Sequence, residues 1–220
     1  MLVQIYEISS PEEAGALSNL GVDHIGVLVG DGSFPREQSI ARAREIFAAI
    51  SQTPSQTSAL SLSNDLDLIR KIGAELEPDI LHLGASIDLL TPEDVISLKK
   101  DFPGLKIMRS IAVLDFRSIE IARAYDRIAD ILMLDSHAPG DRQIGALGLT
   151  HDWALDRQIR ESVSIPVIMA GGLGPENVIA AIDLVRPSGV DSKTKTDKND
   201  GSHTKDLEKV RQFVERAKSA

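Results

Sequence analysis

Eight strand-like runs, each followed by a helix-like run, alternate along the 220 residues of this chain and predict a closed parallel (β/α)8 barrel, the TIM-barrel class of α/β folds. Three observations support it. Strict alternation demands parallel strands joined by right-handed crossovers. The length suits one barrel, a fold that often runs to about 200–250 residues as a single domain. The first strand is followed by Ser9-Ser10-Pro11, not by the glycine fingerprint an open doubly wound sheet would carry there. No linker or low-complexity tract interrupts the pattern, so residues 1–220 read as one domain.

The elements follow in order. Leu2 to Ile8 is an apolar strand, and Ser10 caps a helix with Pro11 at its first position and Glu12-Glu13 in its first turn. His24 to Val29 is the second strand. A loop with Gly30, Gly32 and Pro35 leads into a helix predicted from Arg36 to about Ile50. Ser58 to Leu62 and Asp79 to Leu83 are strands three and four, separated by a helix over Asp65 to Leu76. Thr91-Pro92-Glu93-Asp94 caps the next helix. Leu105 to Ile111 is strand five, a helix spans about Arg117 to Arg127, and Ile131 to Leu134 is strand six. A long loop from Asp135 to Thr150 precedes a helix starting near Asp152. Ile165 to Ala170 is strand seven, its apolar run typical of a strand buried on both faces. Gly189 to about Lys193 is strand eight. Lys205 to Ala217 is an amphipathic last helix with Leu207, Val210 and Phe213 on one face. Residues 193–205 between them read as a polar, mobile segment.

Gly171-Gly172, after strand seven, let the backbone turn sharply and approach a ligand without Cβ interference. Pro175 suits the first turn of the helix that follows, which would bring free N–H groups beside the glycines and make an anion site. A plain strand–helix turn is the alternative. Barrels of this class hold reactive groups at the C-terminal strand ends and bind phosphate with loops seven and eight, which favours the anion site.

Composition narrows the partners. A net charge of −9 argues against a nucleic-acid or anionic-membrane surface. The absence of cysteine removes disulfides, thiolate metal sites and thiol catalysis. No apolar run reaches the roughly 18 residues of a membrane span, and the first residues lack a signal peptide's order, so a cytoplasmic protein is expected. His24, His82, His137, His151 and His203 are scattered, with no paired spacing on one element, so neither a metal nor another cofactor is expected. A site gathered in space from His82, Asp135 and His137 stays open.

Several motifs together are similar to the phosphoribosylanthranilate isomerase family, the barrel enzymes of tryptophan biosynthesis. Leu134-Asp135-Ser136 resembles that family's strand-six LLD followed by Ser or Thr. Gly145-Ala146-Leu147-Gly148 with Thr150-His151-Asp152-Trp153 resembles its GG(S/T)GxxFDW loop. Ala170-Gly171-Gly172-Leu173 with Pro175-Glu176-Asn177-Val178 matches its AGGLxPENV motif, and Pro35-Arg36 echoes its SPR segment. Gly189-Val190-Asp191 and Lys205-Asp206 echo its ending. The chain departs from the pattern where the family's first strand reads KICG. Gln4-Ile5-Tyr6-Glu7 stands there, so Tyr6 replaces the cysteine understood to be the general base. His82 is displaced from the family's VQLHG position, and Lys193-Thr194-Lys195 replaces SSG after strand eight.

The resemblance implies an Amadori rearrangement of an aminoaldose to an aminoketose, with no cofactor, on a phosphorylated small-molecule substrate, by a monomer or homodimer. The reaction needs an acid for the sugar ring oxygen and a base for the proton on the neighbouring carbon. Asp135 stands where the family keeps its acid, and burial would keep its carboxyl protonated. Tyr6 is a poor base near neutrality and reads better as a ring filling the barrel mouth. Strand alternation points Glu7 away if Tyr6 points inward. His137 and Asp141 lie within reach in the loop after Asp135. A histidine has a suitable pKa for base work, although an exposed loop histidine is the simpler reading of His137. Lys193 reads as a solvated lysine among Lys195, Lys198 and Lys205, or as a phosphate ligand or Schiff-base amine. Arg36 suits bidentate capture of a substrate carboxylate, or is a surface residue at a helix start. Gly148, Gly171, Gly172, Asp191, Lys193 and Thr194 complete the candidate substrate and phosphate contacts, Asp191 positioning substrate or only pinning its loop. The expected function is aldose-to-ketose isomerisation. The alternatives are a phosphosugar aldolase, lyase or other isomerase using Lys193 or His137, and a non-catalytic phosphometabolite-binding barrel.

Overall fold

The chain's structure, a computed structural model, describes residues 1–137, 144–145 and 150–220. Its strands are β1 (Leu2–Ile5), β2 (His24–Leu28), β3 (Gln56–Ser61), β4 (Ile80–Leu83), β5 (Lys106–Ala112), β6 (Ile131–Asp135), β7 (Val167–Met169) and β8 (Gly189–Ser192). Each is followed by a helix: α1 (Pro11–Asn19), α2 (Ile40–Ala48), α3 (Leu66–Leu76), α4 (Pro92–Asp101), α5 (Arg117–Tyr125), α6 (Trp153–Ser162), α7 (Val178–Val185) and α8 (Leu207–Ser219). Every strand pairs in parallel with its sequence neighbours, and β8 closes on β1 through Leu2 beside Gly189 and Gln4 beside Asp191. The predicted (β/α)8 barrel is the observed fold.

Period-two alternation sorts the strand residues into two cores. Outward side chains such as Val3, Ile5, Val27, Leu81, Ile107 and Leu134 pack against Leu17, Ile46, Ile72, Leu98 and Phe213 of the surrounding helices. Inside the barrel, Ile80, Met108, Ile131, Met133 and Ile168 form a separate apolar cluster under Tyr6 and Ala170. Beside it lie polar groups that the sequence pattern leaves unassigned, all fully or nearly fully buried: Gln4, His24, Ser58, His82 and Ser110.

Two predicted helix starts and one predicted loop differ for physical reasons. α2 starts at Ile40, because Ser39 supplies the cap by accepting from the Arg42 N–H. Arg36 therefore lies in the preceding loop, with φ 68°. α7 starts at Val178, not at Pro175. Residues 175–177 form a turn in which the Asn177 amide accepts from Gly174 N–H and donates to the Gly172 carbonyl. The segment read as mobile between β8 and α8 is folded. It holds a 3-10 turn (Thr194–Thr196) and a bridge between Asp197 and Lys205, and the Lys205 ammonium lies buried 2.5 Å from Asp197 Oδ1.

Candidate active site

The mouth at the C-terminal ends of the strands holds two adjoining depressions. One is lined by Tyr6, Glu7, Leu28, Phe34, Arg36, Leu60, Leu62, His82 and Met133, and the other by Gly171, Gly172, Leu173, Ser192, Thr194 and Lys195. Asp135, Asp191 and Lys193 line both and stand at the junction.

Asp135 ends β6, where its carboxylate accepts from the Ser136 N–H at 2.7 Å. Gly145 lies so close that a Cβ there would stand 2.2 Å from Asp135 Oδ2. Burial outweighs the Ser136 bonds and pushes the Asp135 carboxyl up to about 6. Asp191, inside β8, accepts from Gln4 Nε2 at 3.2 Å, and Gln4 is held in turn by His24. Burial first, then the charge of Asp135, raises the Asp191 carboxyl to about 8. Two interacting carboxyls titrate as a pair, and burial raises both members of this one.

Tyr6 is buried in the barrel. Its hydroxyl lies 2.7 Å from Ser58 Oγ and 2.6 Å from His82 Nδ1, and His82 Nε2 lies 2.8 Å from Ser110 Oγ. Burial raises the Tyr6 phenol well above its ordinary value and lowers His82 to about 3. With both neutral, the network closes with Tyr6 donating to Nδ1 and Nε2–H donating to Ser110. The ring lies flat over Gly26, where a Cβ would come within 2.1 Å of it. Tyr6 is thus packed and satisfied as a structural element of the barrel interior.

Glu7 corrects the strand-alternation reading. β1 ends at Ile5 and Glu7 adopts φ 62°, which turns its side chain back over the mouth it shares with Tyr6. Arg36 donates to both Glu7 oxygens, Nε to Oε2 at 2.5 Å and a terminal nitrogen to Oε1 at 3.1 Å. Lys193 Nζ lies 3.3 Å from Oε2. Burial raises the Glu7 carboxyl, but Arg36 and Lys193 outweigh it and hold the group below its usual value. Lys193, for which the sequence left a solvated lysine, a phosphate ligand and a Schiff-base amine open, is an ion-paired side chain only 13% exposed. The KICG pattern carries a signal for this: a glycine where Glu7 stands marks a left-handed backbone position.

His137 faces a different depression, with Ser86, Asp88, Asp115 and Arg117. A cluster of His82, Asp135 and His137 is therefore not assembled, and among the described residues no group of three or more His, Asp or Glu side chains is placed to hold a metal ion. Gly171 and Gly172 both have positive φ, 80° and 65°, so the tight turn is built as expected. The N-cap of α7, Asn177, adjoins it through its bond to the Gly172 carbonyl, and Thr194 and Lys195 of the β8 loop line the same recess as the glycines. Gly148 and Asp141 lie outside the described residues. Among the described residues no helix is long and apolar enough to cross a membrane.

A (β/α)8 barrel with paired carboxyls at its mouth, beside a glycine-walled recess over strands seven and eight, has the arrangement of a barrel enzyme built for acid–base chemistry. The family model described as N-(5'-phosphoribosyl)anthranilate (PRA) isomerase matches residues 8–216. The N-(5'-phosphoribosyl)anthranilate isomerase of Methanocella arvoryzae is 34% identical over 98% of this chain and 97% of its own. That of Haloferax volcanii is 32% identical over 99% and 93%. The solved N-(5'-phosphoribosyl)anthranilate isomerase of Pyrococcus furiosus superposes with a TM-score of 0.79 at 26% identity, covering all of both chains. The enzyme from Thermus thermophilus shares the fold with a TM-score of 0.82 at 22% identity, over 100% of this chain and 99% of its own. The chain belongs to the PRA isomerase family. It is an aldose–ketose isomerase that acts on a phosphorylated sugar by an Amadori-type rearrangement, the chemistry its motifs led us to expect.

Proposed function

We propose that the substrate is a phosphoribosylamine and that the Asp135–Asp191 pair performs the proton transfers. The observation that supports this is the pair's position at the junction of the two depressions, where burial raises both carboxyls. The phosphate sits in the recess of Gly171, Gly172, Thr194 and Lys195, with Lys193 at its edge. The ribose spans the carboxyls, and the amine substituent lies among Leu28, Phe34, Leu60, Leu62 and Met133.

In the reactive form the shared proton has passed from Asp191 to Asp135, which gives it to the ring oxygen. The C1–O bond breaks, and the nitrogen lone pair forms an iminium at C1. Two carboxylates now face each other, and their repulsion raises the pair's proton affinity. Asp191 removes the C2 proton, which the iminium has acidified, giving an enolamine and returning the pair to one proton. Protonation at C1 and loss of the O2 proton yield the aminoketose. Tyr6 takes no part, and Lys193, held by Glu7, is not a Schiff-base amine here.

The test is turnover in D2O of the adducts of ribose 5-phosphate with aniline and with anthranilate, followed by NMR. The expected product is the 1-amino-1-deoxyribulose 5-phosphate with deuterium at C1. Folded protein that forms no ketose from either adduct contradicts the proposal.

A further inference from the structure

Glu7 and Lys193 stand together where the two depressions join. Lys193 lines both depressions with Asp135 and Asp191, and Glu7 lines the first of them beside it. Lys193 Nζ lies 3.3 Å from Glu7 Oε2, and the two side chains are only 13% and 9% exposed. Glu7 reaches this place from left-handed backbone, φ 62°, a conformation that persists in a non-glycine residue where surrounding structure enforces it. Arg36 helps to enforce it, donating to both Glu7 oxygens. Lys193 reaches Oε2 from the end of β8, so a substrate carboxylate that takes the Arg36 fork leaves the Glu7–Lys193 contact in place. Burial would raise the Glu7 carboxyl, but Arg36 and Lys193 hold it below its usual value, so it stands ionised against the Lys193 ammonium. Both residues depart from the family pattern, which has the glycine of KICG at position 7 and the first serine of SSG at position 193. The couple is a feature of this chain.

A proton acceptor and a proton donor thus face the same part of the mouth. The isomerisation has a step for them. Once the C2 proton is removed the carboxyl pair has its proton back, and the enolamine has still to lose a proton from O2 and gain one at C1. With the C5 phosphate in the glycine recess and the amine substituent among the apolar side chains, C1 and C2 lie at the junction, on the side of the first depression. Glu7 and Lys193 line that side. The Glu7 charge reaches Asp191 there, and after burial and Asp135 it adds to what raises that carboxyl.

We propose that Glu7 and Lys193 are a catalytic acid–base couple that converts the enolamine to the ketose on the protein. This rests on the phosphoribosylamine reading above. Glu7 takes the O2 proton, and the O–H electron pair becomes the C2=O π bond. The C1=C2 π pair takes a proton from Lys193 Nζ and forms the new C1–H bond. The proton on Glu7 then crosses to the Lys193 amine over the contact they share, which restores the ion pair.

A proton delivered by one fixed group labels one face of C1, whereas an enolamine that escapes into water is labelled on both. The adducts of ribose 5-phosphate with aniline and with anthranilate are turned over in D2O, and the two diastereotopic C1 positions of the ketose are read by NMR at early times. The wild type is expected to place deuterium at one position in roughly tenfold or more excess, since positioned proton transfer gains about 10²–10⁴-fold. Glu7→Gln removes the acceptor, and Lys193→Arg keeps the charge but does not release its proton. Both variants are expected to give ketose labelled near-equally at the two positions. Circular dichroism confirms that they are folded. Near-equal labelling by the wild type, or one-sided labelling in either variant, overturns the inference and leaves the isomerase reading standing. So do folded variants that form no ketose, because the carboxyl pair alone carries the substrate to the enolamine. A wild type that forms ketose from neither adduct overturns the phosphoribosylamine reading and the inference with it.

Discussion

The Tyr6 ring occupies the space where a side chain on Gly26 would stand, with Cδ1 2.1 Å from that position. Tyr6 on β1 and the bare backbone of β2 are therefore one packing unit inside the barrel, and the phenol is anchored by Ser58 and His82 at its far end. Gly26→Ala is expected to destabilise the fold by about 2 kcal/mol through overpacking. Adding Tyr6→Ala should recover part of that loss, because contacting residues couple. Urea unfolding of the two single variants and the double gives the coupling, and strict additivity would contradict the arrangement.

Tyr6→Phe separates packing from chemistry. It keeps the ring over Gly26 and strands His82 Nδ1, for a stability loss of about 1–3 kcal/mol. Its kcat is expected to stay within about tenfold of wild type, since removing a true base costs about 10²–10⁴-fold. Steady-state turnover beside unfolding curves checks both halves.

Stability should carry the mark of Asp191. The folded carboxyl holds its proton up to about pH 8, whereas an unfolded aspartate releases it near pH 4. Between those values the folded state binds more protons, so stability falls as pH rises through the window. The wild-type Tm is expected to drop between pH 6 and pH 9, and the Asp191→Asn profile to be flatter. Differential scanning calorimetry showing equal slopes would count against a buried, proton-holding Asp191.

Arg109 lies fully buried outside the site and donates to the carbonyls of Leu83, Ala85 and Leu90, tying the end of β4 to the start of α4. Arg109→Leu leaves those buried acceptors without their donor and is expected to cost at least about 3 kcal/mol. Chemical denaturation checks this, and a loss below about 1 kcal/mol would contradict it.

The barrel was legible because parallel strands buried on both faces write continuous apolar runs, as in Ile165 to Ala170, and because Ser10, Asp65, Thr91 and Asp206 cap helices where the sequence places helix starts. Asp135 and Gly171-Gly172 stood out by motif and lie at the mouth. Glu7 did not, because alternation holds only while the strand continues, and β1 stops before it. Lys193 stood out as a candidate in sequence, but its partner did not: neighbouring lysines look alike there, whereas in the fold Lys205 is buried with Asp197 and Lys193 is tied to Glu7. Ser58, His82 and Ser110 were hidden because the inward register of a two-sided strand is fixed by pairing partners distant in sequence.

The central claim is that Asp135 and Asp191 act as one proton-sharing pair. The pH dependence of kcat/KM for the ribose 5-phosphate–aniline adduct, in wild type, Asp135→Asn and Asp191→Asn, tests it most directly. The account predicts a bell with arms near pH 6 and pH 8 in the wild type, and losses of about 10²–10⁴-fold in each variant. Asp191→Asn turning over at the wild-type rate with both arms intact would contradict it.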